Sequence, residues 1–160
     1  MSANYLNLLT SERIEKSPSG QDAVFIPLDK YSGIKLFTEK KIESRTYWFN
    51  KYLAAHGLAP KIWGRFSHVI KWREKPEKIY GYHVERAKVV CEDKLKKLID
   101  ISDHHAENYL NVFDEIAGDL EVTLREEHSI CWPDAHPRNV GFLCGRPVII
   151  DAGWMEKEQN

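Results

Sequence analysis

The chain has 160 residues, 42% of them hydrophobic, enough for one compact domain or two small lobes but not for several domains. Lys and Arg (23) nearly balance Asp and Glu (24), so no global charge draws the protein to nucleic acid or to an anionic membrane. Cys91, Cys131 and Cys144 show no C-x-x-C spacing and read as reduced thiols. No apolar run approaches the roughly 18 residues of a membrane span, and residues 1–5 lack a signal-peptide pattern. The expectation is a cytoplasmic protein without nucleic-acid or membrane partners.

A short apolar stretch and a charged segment lead to Ser17-Pro18-Ser19-Gly20-Gln21, which reads as a turn. Residues 22–28 are strand-like, with Pro27 suited to an edge or a bulge. After a turn at residues 29–33, Ile34-Lys35-Leu36-Phe37 resumes as a strand. A helix is predicted from about Thr38 to His56, with Thr38 as its cap, Glu39 in its first turn, and Gly57 and Pro60 as its stop. Ile42, Thr46, Phe49 and Leu53 form its inward stripe. Two strands follow over residues 61–72 and 78–84, joined by a turn at Lys75-Pro76-Glu77.

After Glu85-Arg86-Ala87 the pattern turns helical through Ile99. A second helix begins near Ser102 or Asp103, with Ala106, Leu110, Phe113, Ala117, Leu120 and Leu124 on one stripe. His104, His105 and Glu107 lie at that helix start, where Ser102 and Asp103 read as caps, and His-x-x-Glu alone does not make a metal site. The rest consists of Ile130-Cys131-Trp132, a loop over residues 134–139, a strand over 140–143, a turn over 144–147, and Val148-Ile149-Ile150 running into Asp151.

That last part carries the chemistry. Asp134, four intervening residues, Asn139, a hairpin and then Asp151 before Gly153 make an ordered set of oxygen ligands. One carboxylate can receive a hydroxyl proton, while an amide oxygen and a second carboxylate can hold Mg²⁺ beneath a nucleotide. Phosphoryl transfer needs this division of labour, because its catalysis is mostly positioning and charge neutralisation. A carboxylate ending an apolar strand is also costly to bury without a cation or hydrogen bonds. Taken singly, Asp134 also reads as a turn aspartate capping local backbone N–H groups, and Asn139 as a turn asparagine bonded to its own backbone.

The set resembles the catalytic loop and metal-binding strand of the protein-kinase-like superfamily, H-R-D-x-x-x-x-N and D-F-G. The wording Asp134-Ala135-His136-Pro137-Arg138-Asn139 is closer to the aminoglycoside and choline phosphotransferase branch. The resemblance implies a single α+β domain of kinase-like fold. A small antiparallel β-sheet N-lobe with one helix would span about residues 1–85. A reduced, mainly helical C-lobe would span about 86–160 and end after the metal-binding Asp.

The resemblance also implies ATP and Mg²⁺ as cofactors. Asp134 would be the base, and Asn139 and Asp151 the metal ligands. Lys35 would hold the α- and β-phosphates, with Glu43 as its ion-pair partner and Glu39 as the runner-up. Ser19 and Gly20 would offer backbone donors to a phosphate, and Glu85 and Ala87 would lie at the hinge beside the nucleotide.

Three features depart from the family. Trp132-Pro133 replaces His and then Arg or Gly, Ala152 replaces an aromatic residue, and the phosphate loop has one glycine. The sequence runs from Asp151 only to Asn160, so the resemblance covers the ATP side of a kinase and little of its acceptor platform. Two readings follow. One is a minimal phosphotransferase acting on a hydroxyl of a protein or small molecule, with a protein substrate or partner expected. The other is a pseudokinase serving as a nucleotide-binding or protein-interaction module.

Overall fold

The computed structural model describes residues 9–16, 23–72, 74–89 and 103–158. Strands β1 (Ala23–Pro27), β2 (Ser32–Phe37), β3 (Ile62–Trp72) and β4 (Lys75–Glu85) form an antiparallel sheet in the order β1-β2-β4-β3. Strand alternation then divides the buried side chains between two faces. Ile34 and Leu36 join Ile26, Ile70 and Ile79 in one cluster, with Ile14 of α1 (Ser11–Lys16) and Leu9. Phe37, Tyr82 and Val84 form another, packed against Ile42 and Tyr47 of α2 (Lys40–Ala55). Lys35 is two residues from Phe37 and therefore shares the α2 side of the sheet.

A separate cluster fills the other half of the molecule. Ala117, Leu120 and Leu124 of α3 (Asp103–His128) pack with Ile130, Trp132, Val140 and Ile149. Leu53, near the end of α2, belongs to this cluster too, so one helix is anchored in both halves. Trp132 is among the largest fully buried side chains. The residue that departs from the kinase motif is thus a core residue, and it packs in the same cluster as Ala152 and Met155.

Strands β7 (Val140–Leu143) and β8 (Arg146–Ile149) form the expected hairpin. Lys88 and Val89, expected to open a helix, instead form β5 (Lys88–Val89), paired with Phe142 and Gly141 of β7. The β-branched Val89 suits that pairing, which satisfies backbone groups along the β7 edge. The remainder of the expected helix, residues 90–99, lies outside the described residues. Strand β6 (Ile130–Cys131) pairs with β9 (Glu156–Lys157), two residues each and too short to show periodicity in sequence.

Other boundaries moved for local reasons. The β3–β4 hairpin turns at Glu74, which takes φ 68°, and Trp72 pairs with Lys75. Pro76, expected in the middle of the turn, therefore sits inside the ladder opposite Lys71, two residues beyond Glu74. The N-cap of α2 is Glu39 rather than Thr38, and its side chain makes no capping bond. Gly57, at φ 72°, ends the helix as its sequence position foretells. The buried stripe of α2 is Glu43, Thr46, Asn50 and Leu53, more polar than expected, and Asn50 lines the cavity described below. Ile42 and Phe49 are only half-buried.

Among the described residues no helix is long and apolar enough to cross a membrane. Cys131 and Cys144 are free and exposed.

Gly81 tests how closely β2 and β4 are fitted. A Cβ there would lie 2.5 Å from the Lys35 carbonyl oxygen and 3.1 Å from Leu36 Cδ2. Gly81→Ala is expected to lower stability by about 1–3 kcal/mol in a urea titration, because backbone must give way beside Lys35. An unchanged midpoint would contradict this packing.

Candidate active site

The Asp134–Asn139 loop is closed by its own polar groups. Asn139 Nδ2 donates to the Asp134 carbonyl at 2.9 Å and to Asp134 Oδ2 at 2.9 Å. Pro137–Asn139 form a single 3₁₀ turn, capped where the Arg138 N–H donates to His136 Nδ1 at 3.1 Å. Pro137 at the first position suits this turn, because its missing N–H would have had no partner there. His136 thus has a structural task, as a helix-capping acceptor.

Backbone pairing then joins the loop to the metal-binding strand of the resemblance. The Ile150 N–H donates to the Asn139 carbonyl at 2.9 Å, extending the β7–β8 register by one pair. Asn139 and Asp151 are therefore held as near neighbours by the hairpin itself. Asp151 Oδ1 accepts the Gly153 N–H at 3.0 Å, in a tight local turn. A Cβ on Gly153 would come within 3.1 Å of that same oxygen, so glycine keeps the turn open.

Lys35 reaches this group from the sheet. Its Nζ lies 3.5 Å from Asp151 Oδ1 and donates to the Ile150 carbonyl at 3.3 Å, across 115 residues of sequence. The Lys35 side chain is 12% exposed and that of Asp151 40%, so the ammonium is largely withdrawn from water while the carboxylate stays accessible.

The expected Lys35–Glu43 ion pair is not formed. The Glu43 carboxylate takes a two-pronged bond from Arg65, Nε to Oε1 at 2.9 Å and Nη2 to Oε2 at 2.7 Å. Arg65 also donates to Ser44 Oγ and lies over the Tyr47 ring at 4.5 Å. A planar guanidinium matches both carboxylate oxygens at once, which a lysine ammonium cannot do. Bonding to Glu43 also raises the Arg65 pKa above its ordinary value. Glu39, the runner-up, stands at the N-cap of α2.

These elements enclose a cavity of about 680 Å³. Lys35, Asp134, Asn139 and Asp151 all line it, as do Glu85 and Ala87. Its apolar lining includes Ala23, Val84, Ala87, Val89 and Ile150. Two of the linker residues also press on the hairpin below, since a Cβ on Gly141 would meet Ala87 Cβ at 2.9 Å and the Lys88 carbonyl at 3.2 Å. The Glu85 N–H is spent on the Lys61 carbonyl at 2.9 Å. Ser19 and Gly20 lie outside the described residues.

Sequence reasoning missed three residues at this site. Arg65 sits on a strand with no motif around it, and only alternation along β3 hints that it faces α2. Tyr82 pairs directly with Lys35 across the β2–β4 ladder and lines the cavity, but reads in sequence as one more strand aromatic. Trp154 also lines the cavity and is 46% exposed, which no sequence pattern signals.

No protein-family model and no curated protein matches the chain.

The Glu43–Arg65 pair is testable by itself. Glu43 is 2% exposed, so Arg65→Ala leaves a buried carboxylate without its partner. A loss of about 2–4 kcal/mol is expected in urea, with part recovered by adding Glu43→Gln. A loss under about 0.5 kcal/mol would mean that the pair behaves like an exposed one.

Proposed function

We propose that the chain is a kinase-like phosphotransferase that takes ATP with Mg²⁺ and moves the γ-phosphate to a hydroxyl acceptor. The observation that carries this reading is convergence. Lys35 from β2, Asp134 and Asn139 from one loop, and Asp151 after β8 line the same cavity. The element order supports it: strands around one helix, a connection at Arg86 and Ala87, a long helix, then a hairpin leading to Asp151.

The residues present fit a divalent cation. Asp151 Oδ1 is engaged by the Gly153 N–H, so Oδ2 is the oxygen suited to a metal. Asn139 spends its Nδ2 on Asp134, so its amide oxygen is the suited atom there. One carboxylate and one amide oxygen, from residues that line the same cavity, match the few protein ligands that Mg²⁺ takes alongside substrate phosphates. Asp151 and Asn139 would hold the ion, which when bound supplies neutralisation of phosphate charge.

The chain's own groups account for the rest. Ala23, Val84, Ala87 and Val89 offer apolar walls for a flat base. Lys35, now against Asp151, has the reach to exchange that carboxylate for a phosphate oxygen. Asp134 is exposed, and its carboxylate is steadied by Asn139, so it can orient an acceptor hydroxyl and take its proton. The acceptor oxygen bonds to the γ-phosphorus as the bond to ADP breaks, and the proton passes to Asp134.

One observation favours a second reading, a nucleotide-binding module without transfer. Glu43 is committed to Arg65, which leaves Lys35 without the glutamate that steadies it in active kinases. Two substitutions separate the readings. Asp151→Asn is expected to abolish Mg-dependent ATP binding with the fold intact, and unchanged binding would remove Asp151 as a ligand. Asp134→Asn should keep Mg·ATP binding and slow ADP release from Mg·ATP by about 10²-fold or more, with water or protein hydroxyls as acceptor. Equal rates in both proteins would take Asp134 out of the mechanism, and no ADP release by either would favour the binding module.

A further inference from the structure

Around the cavity that Asp151 lines is a set of buried polar atoms that the proposed mechanism leaves unused. Tyr82 is fully buried, and its hydroxyl has no hydrogen-bond partner among the described residues. Thr46 Oγ1 and Asn50 Oδ1, on the inner stripe of α2, are buried and unpartnered in the same way. Buried hydroxyls and amides are satisfied in the great majority of native structures, and exceptions often mark a functional site. Three of them gather here. Tyr82 and Asn50 line the cavity with Asp151. Thr46 Oγ1 would be 3.6 Å from a Cβ on Gly153, the glycine whose N–H holds Asp151.

Tyr82 stands opposite Lys35 in the β2–β4 ladder, on the same face of the sheet. Its ring is wedged between Phe37, with centroids 5.8 Å apart, and Tyr47, at 5.7 Å, which fixes where the hydroxyl is carried. Two carboxylates lie within electrostatic reach of that hydroxyl. Burial raises its pKa well above the ordinary tyrosine range, and the charges of Asp151 and then Glu43 add to the rise. Glu43 already has both oxygens bonded to Arg65. Asp151 is the carboxylate with acceptor capacity to spare, since among the described residues its close partners are the Gly153 N–H and the loosely placed Lys35.

We propose that Tyr82 is a positioning residue for Asp151: when Lys35 turns to a nucleotide phosphate, the Tyr82 hydroxyl donates to the Asp151 carboxylate in its place. The inference rests on the phosphotransferase reading and adds to it a neutral donor behind the metal ligand. The physical need is plain. A carboxylate that ligates a cation must keep its orientation after its lysine partner leaves, and outer hydrogen bonds of this kind typically change metal affinity by 10–100-fold. A neutral hydroxyl does this without placing a second positive charge against the cation. Thr46 and Asn50 extend the same polar wall along α2.

Tyr82→Phe removes only the hydroxyl and keeps the ring in its slot. The experiment is calorimetric titration of ATP into wild type and Y82F over a series of Mg²⁺ concentrations, with thermal melting of both proteins. The expected result is an apparent Mg²⁺ requirement raised about tenfold in Y82F, with metal-free ATP binding unchanged. If wild type binds Mg·ATP and Y82F has the same Mg²⁺ dependence, the positioning role is overturned while the phosphotransferase reading stands. A higher melting temperature in Y82F with that unchanged dependence would mean that the hydroxyl is an unsatisfied group in every state. If wild type itself shows no Mg-dependent binding, the phosphotransferase reading falls and this role falls with it.

Discussion

The placement of α2 is the constraint on which the rest of the structure depends. Ile42 and Tyr47 pack against the sheet cluster, and Leu53, two turns further on, is fully buried among residues from α3 and the terminal hairpin. A rigid helix anchored at both ends holds the sheet at a set distance from the hairpin. That distance brings Lys35 within 3.5 Å of Asp151. The hydrophobic effect thus does indirectly what no single polar contact could. It aligns a lysine on one element with a carboxylate on another, and the loose ion pair between them is a consequence rather than a cause.

Between its anchors α2 is polar where a core helix would be apolar. Glu43, Thr46 and Asn50 occupy the buried stripe, and each bears a cost unless it is satisfied. Glu43 is satisfied by Arg65, with a geometry that also ties β3 to the helix. The price of this polar stripe is lower packing energy in the middle of the molecule. What it provides is Asn50, a hydrogen-bonding side chain in the lining of the cavity.

Much of this could be read in the residues, and the limits are instructive. Strand alternation, the Gly57 stop and the spacing of Asp134, Asn139 and Asp151 are local signals, and the strands, the α2 terminus and the shared cavity lining agree with them. Partner choice is not local. Nothing near Glu43 in sequence distinguishes Lys35 from Arg65, because the choice depends on how β3 and β4 bulge and register between Ile62 and Arg65. Trp132 looks like a damaged motif in sequence and is a buried core residue in the fold. Val89 reads as part of a helix because its pairing partner, Gly141, lies far along the chain.

Lys35, Asn139 and Asp151 line one cavity, and the proposed function requires that they together receive a nucleotide with its cation. Calorimetric titration of ATP into the wild-type protein, with and without Mg²⁺, tests that most directly. Saturable binding at one site that tightens when Mg²⁺ is present is the predicted result. Absence of ATP binding under both conditions would contradict the account and leave a protein whose polar cavity serves some other ligand.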